Sequence, residues 1–256
     1  MAKIWALGRT TLQEMLRERF FLVVLFIAAI MLALSFLLGA LSFAEQRKIL
    51  TDFGFLSIQI ALLGVSIFAG AFLISKEVEK QTCLLILSRP VSRPQFLLGK
   101  ILGVLGLNTL LLLFLSVLLF FLLGLAKSPQ QLVAFAEICL SLWFESAIVL
   151  GCVIAFSLVV RPVLALTAGV MVFLLGHWLN DLSFFAEKSK DAFFIQAVKV
   201  LHWMTPNLFK MNWKSSYYLE NGIPAQNVLW MLTHSLGWVV LLILISNALF
   251  RRKDIV

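Results

Sequence analysis

Six apolar runs constrain this chain more than any other feature; they fall at roughly 20–41, 53–74, 97–125, 132–160, 163–180 and 228–250. A helix needs about 20 consecutive apolar residues to cross the hydrocarbon core of a bilayer. Inside that core every backbone N–H and C=O must find a partner within the protein, so runs of this length fold as membrane-spanning helices. The expected fold class is therefore an all-α integral membrane protein with six transmembrane helices. The third and fourth runs exceed the requirement and are expected to tilt or to extend beyond the bilayer. The fifth is the shortest. Arg161-Pro162 separates it from the fourth, so residues 132–180 read as a hairpin rather than one helix.

Composition removes the alternatives. Of 256 residues, 61% are hydrophobic and 13% charged, where a soluble domain has about 45–50% and about 25%. A net charge of +8 would suit a nucleic-acid binder, but the basic residues are scattered at the ends of the runs. That is the pattern of anchoring and topology, so no nucleic acid is expected as a partner. Cys139 and Cys152 lie too far apart on one expected helix to pair, and together with Cys83 they read as small packing residues.

Residues 1–19 are polar and amphipathic, without the short oily core of a cleavable signal peptide. Ile4, Trp5, Leu12, Met15 and Leu16 fall on one face, and Arg9, Gln13, Glu14 and Arg17 on the other. An interfacial helix is expected there, leading into a transmembrane domain over 20–256. The positive residues orient the chain. An inside N-terminus keeps Lys3, Arg9, Arg17, Arg19, Lys76, Lys80, Arg89, Arg93, Lys100, Arg161, Arg251, Arg252 and Lys253 on the cytoplasmic side. The short outer links then hold only Arg47, Lys48 and Lys127. The expectation is a multi-pass protein of the cell inner (cytoplasmic) membrane with both termini inside.

Two connections are long enough to have structure. Residues 181–227 would lie outside; Phe193, Phe194, Ala197, Val198, Leu201 and Met204 recur at helical spacing. Trp203, Trp213, Tyr217 and Tyr218 suit a membrane interface. Two short helices against the outer rim, broken at Pro206, are expected. Residues 76–96 would lie inside, a helix ended by Pro90 and Pro94. Ser92-x-x-Gln95 is a capping-box pattern that starts the next helix. A helix, a rigid break and a helix at a membrane surface suit a soluble partner that pushes; an ordinary basic loop is the plainer alternative.

That stretch also carries a family resemblance. Glu79-Lys-Gln-Thr82, Leu84-Leu85, Ser88-Arg-Pro-Val-Ser-Arg93 and Gly99-Lys100 resemble the signature of ABC-2 type transporter permeases. Gln81 departs from it, standing where the family usually has glycine. Met204-Thr-Pro-Asn-Leu208 is similar to the family's segment between the fifth and sixth spans. The resemblance implies an ABC-2, type V exporter-like architecture with the N-terminal helix as an elbow. It implies that Glu77, Glu79, Lys80, Thr82, Arg89, Pro90 and Arg93 belong to a coupling segment docked on a separate ABC ATPase. It further implies that two permease copies pair, a homodimer being expected.

Residues that could carry chemistry are few. No G-x-x-x-x-G-K-[ST] loop occurs, since Gly99-Lys100 is followed by Ile101. The chain is not expected to be an enzyme: it has no catalytic set, metal ligands or cofactor of its own, and ATP and Mg belong on the partner ATPase. Glu137, Ser141 and Glu145 are spaced by four along the fourth run and share a side. A carboxylate in a span usually faces the bundle interior or water, so Glu145 reads as a pathway residue or as a hydrogen bond to a neighbouring helix. His177 and His234 sit at the outer parts of the fifth and sixth runs, a level that Glu137 should share. A metal site or proton relay there has only weak support, because no single helix carries two of them at ligand spacing. Gly99-x-x-x-Gly103 and Ser66-x-x-x-Gly70 allow close helix contact.

Two functions fit. The first is a permease subunit that couples ATP hydrolysis on another chain to export of an unidentified substrate, with lipidic or amphipathic cargo favoured over small ions by the scarcity of charge in the spans. The second is a mechanotransmission or anchoring subunit that relays ATPase motion to an extracytoplasmic partner protein and moves nothing. Membrane lipids are partners in either.

Overall fold

The computed structural model describes residues 2–41, 45–73, 92–127, 131–218 and 222–252. The chain forms α1 (Ala2–Arg17), α2 (Arg19–Leu41), α3 (Gln46–Phe72), α4 (Arg93–Leu125) and α5 (Leu132–Ser157). It continues with α6 (Pro162–Lys188) and α7 (Ala192–Met204), two 3₁₀ turns (Phe209–Met211 and Lys214–Tyr218), and α8 (Ala225–Arg252). No strand occurs among the described residues. Six helices, α2 to α6 and α8, are long and apolar enough to cross a membrane. The all-α, six-span class is as expected.

The fifth span differs from its sequence reading. It is 27 residues long, because nothing from Asn180 to Lys188 breaks a helix even though the apolar run has ended. Hydropathy located the oily part of that helix and missed its polar extension.

α3 and α5 form the centre. Phe55, Ile58 and Leu62 of α3 and Ile138, Ile148 and Ile154 of α5 are fully buried. Around this pair stand α2, α4, α6 and α8, each with an exposed apolar face, as lipid-facing helices have.

One end of the bundle holds α1, the start of α4 and the end of α8; we call it the near end. There α1 lies against α4 at a distance only glycines allow. A Cβ on Gly103 would come within 2.5 Å of Thr11 Cβ and 2.8 Å of the Gly8 carbonyl oxygen, and one on Gly99 within 2.6 Å of Leu7 Cβ. The partner of the G-x-x-x-G pair is thus the N-terminal helix of the same chain. Ser92 starts α4, its N–H donating to the Gln95 side chain at 3.1 Å. Arg93 donates to the carbonyls of Phe250 at 3.3 Å and Arg251 at 2.9 Å. It thereby satisfies terminal carbonyls of α8 that have no partner within their own helix.

At the far end, where α3 and α5 begin, the connection between α7 and α8 corrects a second expectation. The short helix α7 stands before Pro206, but among the described residues only two 3₁₀ turns follow the proline before α8, and they do not rest on a rim. Leu208, Met211 and Tyr217 are fully buried. The Leu208 amide donates to the Gly176 carbonyl of α6 at 3.1 Å. Tyr217, expected at the membrane interface, packs against Phe55 and Phe135, with ring centroids 5.8 and 6.5 Å away.

Candidate functional site

Two polar clusters are built into the interior. In the first, Gln59 of α3 and Glu145 of α5 sit near the middle of their helices, 3% and 1% exposed. The Gln59 amide nitrogen donates to both carboxylate oxygens of Glu145 at 2.9 Å. Its amide oxygen accepts from the Lys214 ammonium at 2.5 Å. One amide thus reads a carboxylate on one side and an ammonium on the other, which fixes its orientation. His177 of α6 completes the group, Nε2 lying 3.6 Å from Glu145 Oε1. That separation is beyond hydrogen-bond distance. Its Nδ1 lies 3.2 Å from the Phe173 carbonyl one turn back, and its ring packs on Phe173.

The electrostatic reason for this assembly is direct. A carboxylate at the centre of a bundle loses its hydration and is stable only when charge and hydrogen bonds replace it. Here the replacement comes from two groups: the Gln59 amide, bonded to both carboxylate oxygens, and the Lys214 charge carried in from the α7–α8 connection.

In the second cluster, Asn108 of α4 donates to Ser66 of α3 at 2.7 Å and to Ser146 of α5 at 3.2 Å. Ser146 donates onward to the Trp143 carbonyl, and the Trp143 indole N–H donates to Thr109 of α4. This cluster ties α4 to the central pair. It carries no charge and serves as interhelical glue.

The other residues singled out from sequence are dispersed. Ser141 is buried and donates to the Ile138 carbonyl of its own helix at 2.8 Å. Glu137 is half-buried near Gln131, Gly222 and Ile223 at the start of α5. His234 stacks on Trp230, centroids 4.5 Å apart, with Trp238 at its edge. The level proposed for Glu137, His177 and His234 is therefore not assembled: His177 meets Glu145 instead. Among the described residues, no three His, Cys, Asp or Glu side chains group as a metal site would need. Of the coupling residues, Glu77, Glu79, Lys80, Thr82, Arg89 and Pro90 lie outside the described residues. Arg93 lies within them, on the end of α8.

Sequence reasoning missed Gln59, Lys214 and Asn108. Gln59 and Asn108 each interrupt an apolar run with an amide, a signal that was present. Lys214 carried none, since a lysine in a long polar connection looks like any other.

Compared with known families, the chain matches the one described as ABC-2 family transporter protein over residues 5–255. No curated protein matches the chain.

Proposed function

The chain belongs to the ABC-2 family of transporter proteins and is a membrane transport permease; from that premise we propose that it works as the membrane subunit of a two-component machine. A separate ABC ATPase supplies the energy, and two permease copies form the path. The observation that carries this reading is the family match over nearly the whole chain. The sequence supports it from another side, because the 256 residues contain no phosphate-binding loop of the G-x-x-x-x-G-K-[ST] kind.

In this reading the near end faces the cytoplasm of a cell limited by its inner membrane, with both termini inside. Residues 76–96 then join α3 and α4 on that side and dock on the ATPase. Arg93 supports the mechanical part: it sits at the base of that connection and grips the end of α8, so a displacement there reaches α3, α4 and α8 together. ATP drives opening and closing through the ATPase's different affinity for the two permease states. The oily exterior and the few charged groups inside favour a lipidic or amphipathic cargo, with Glu145 beside its path.

The purified chain should show no steady ATP turnover, and turnover without an ATPase subunit would contradict the reading. An ABC ATPase should copurify with the native chain and be lost on combined Glu79→Lys and Arg89→Glu reversal. Unchanged ATPase affinity in a normally inserted double variant would remove the docking role from 76–96.

A further inference from the structure

At the near end the space between α1, α2, α3 and α4 is not filled. A cavity of about 330 Å³ lies there, walled by Met15, Phe20, Phe68, Ala69, Phe72 and Leu73. That volume is within the range of small-molecule sites. The Phe20 and Phe68 rings meet with centroids 4.5 Å apart. Phe68 is 40% exposed, and an exposed ring on a membrane span faces acyl chains, so the cavity adjoins lipid. Three charged side chains complete the lining: Glu14 of α1, Glu18 at the joint of α1 and α2, and Lys100 of α4. Lys100 is 4% exposed, and its ammonium lies 3.4 Å from Glu14 Oε2.

Glu14 and Glu18 also line a second, polar hollow bounded by Thr10, Gln13, Arg17 and Arg19. The two carboxylates therefore form a border between an oily cavity holding one buried cation and a polar surface holding two arginines. Amphipathic α1 and the basic residues that open α2 and α4 place this border at headgroup depth. The order of chemistry from inside outward is apolar wall, ammonium, carboxylates. A phospholipid with an amine in its headgroup has the complementary order: acyl chain, phosphate, ammonium. The Lys100 ammonium has three donors, enough for Glu14 and a phosphate oxygen together. An anionic headgroup without an amine would meet the same lysine but also two repelling carboxylates. A choline headgroup carries the positive charge without an N–H to donate.

We propose that this cavity seats one phosphatidylethanolamine molecule from the leaflet at the near end. Its acyl chain lies against Phe20, Phe68 and Phe72, its phosphate on Lys100, and its ammonium between Glu14 and Glu18. The lipid then touches α1, α3 and α4 at once, and fastens the N-terminal helix to the two spans that residues 76–96 join. The site goes beyond the permease reading and does not depend on it, since it needs only a bilayer and this chain's own side chains.

The test uses the full chain, purified in mild detergent and stripped of lipid. It is titrated with phosphatidylethanolamine, phosphatidylglycerol or phosphatidylcholine of identical acyl chains, and bound lipid is counted by native mass spectrometry. One phosphatidylethanolamine should bind about tenfold more tightly than either of the others, the effect of one charge-assisted hydrogen bond. Glu18→Gln should abolish that preference without weakening phosphatidylglycerol. Met15→Trp fills the cavity and should remove the tight site for all three lipids, whereas Leu37→Trp on the exposed face of α2 should leave it intact. Phosphatidylethanolamine should also slow proteolysis of α1 in the parent and not in Met15→Trp, because a ligand stabilises the state that binds it. Soluble glycerophosphoethanolamine, which lacks the chains, should not displace the lipid. Should Met15→Trp fail to insert, Glu18→Gln, a near-isosteric change at a half-buried position, carries the test alone. Equal affinity for the three lipids, a preference for phosphatidylglycerol, a preference that survives Glu18→Gln, or tight binding that survives Met15→Trp would each overturn the proposal. Displacement by glycerophosphoethanolamine would overturn it as well, giving the site to a soluble phosphoamine. Lipid is counted without ATPase or cargo, so the site can fail while the permease reading stands, and the permease reading can fail while the site stands.

Discussion

α3 and α2 are neighbours in sequence and in space, yet they are built on opposite principles. In their most apolar stretches, 72% of residues are buried in α3 and 22% in α2; α5 matches α3 at 72%, and α8 has 17%. The more apolar helix of the first pair is α2, the exposed one. In water the oilier helix would be the buried one. In a bilayer the lipid tails are as apolar as leucine, so oiliness carries no preference for the centre. What selects the centre is polarity: Gln59, Ser66, Glu145 and Ser146 find partners there and would find none in lipid.

The contrast can be broken in graded ways. The largest effect is expected from Glu145→Ala, which strands the Lys214 charge and the Gln59 amide; it should destabilise by about 3–5 kcal/mol, read from reversible unfolding in mixed micelles. Gly103→Leu comes next. It forces a side chain into Thr11 and the Gly8 carbonyl, and a loss of about 1–3 kcal/mol is expected, with α1 released from α4 as seen by faster proteolysis of the N-terminal helix. Asn108→Ala removes uncharged bonds to Ser66 and Ser146 and should cost about 1 kcal/mol in the same unfolding assay. On the rim, Phe26→Leu and Leu37→Ala of α2 change exposed side chains, and each should stay within about 0.5 kcal/mol. A rim substitution as damaging as Asn108→Ala would mean that α2 faces a protein partner at that position.

These contrasts also explain what was legible beforehand. The spans could be read because length and hydropathy are local, and the start of α4 because Ser92, Pro94 and Gln95 signal it within four residues. Glu145 stood out because a carboxylate in an oily run needs an explanation. Its partners did not, because Lys214 lies 69 residues further along the chain and only the folding back of 205–218 brings it near. The same folding back turned Tyr217 from an expected interface residue into core: an aromatic with a polar tip fits either place, and sequence does not distinguish them. His177 was grouped with Glu137 and His234 by assumed depth alone; the fold sets its ring 3.6 Å from Glu145 instead.

The central claim is that polar contacts between α3 and α5 hold the middle of this permease together. A double-mutant cycle on Gln59→Ala and Glu145→Ala tests it most directly, with unfolding free energy measured for the parent, both single variants and the double. A coupling energy of about 1–3 kcal/mol is predicted, because the two side chains satisfy one another in a buried, charged bridge. Additivity within about 0.5 kcal/mol would contradict it, and would place the cohesion of the bundle in its apolar packing instead.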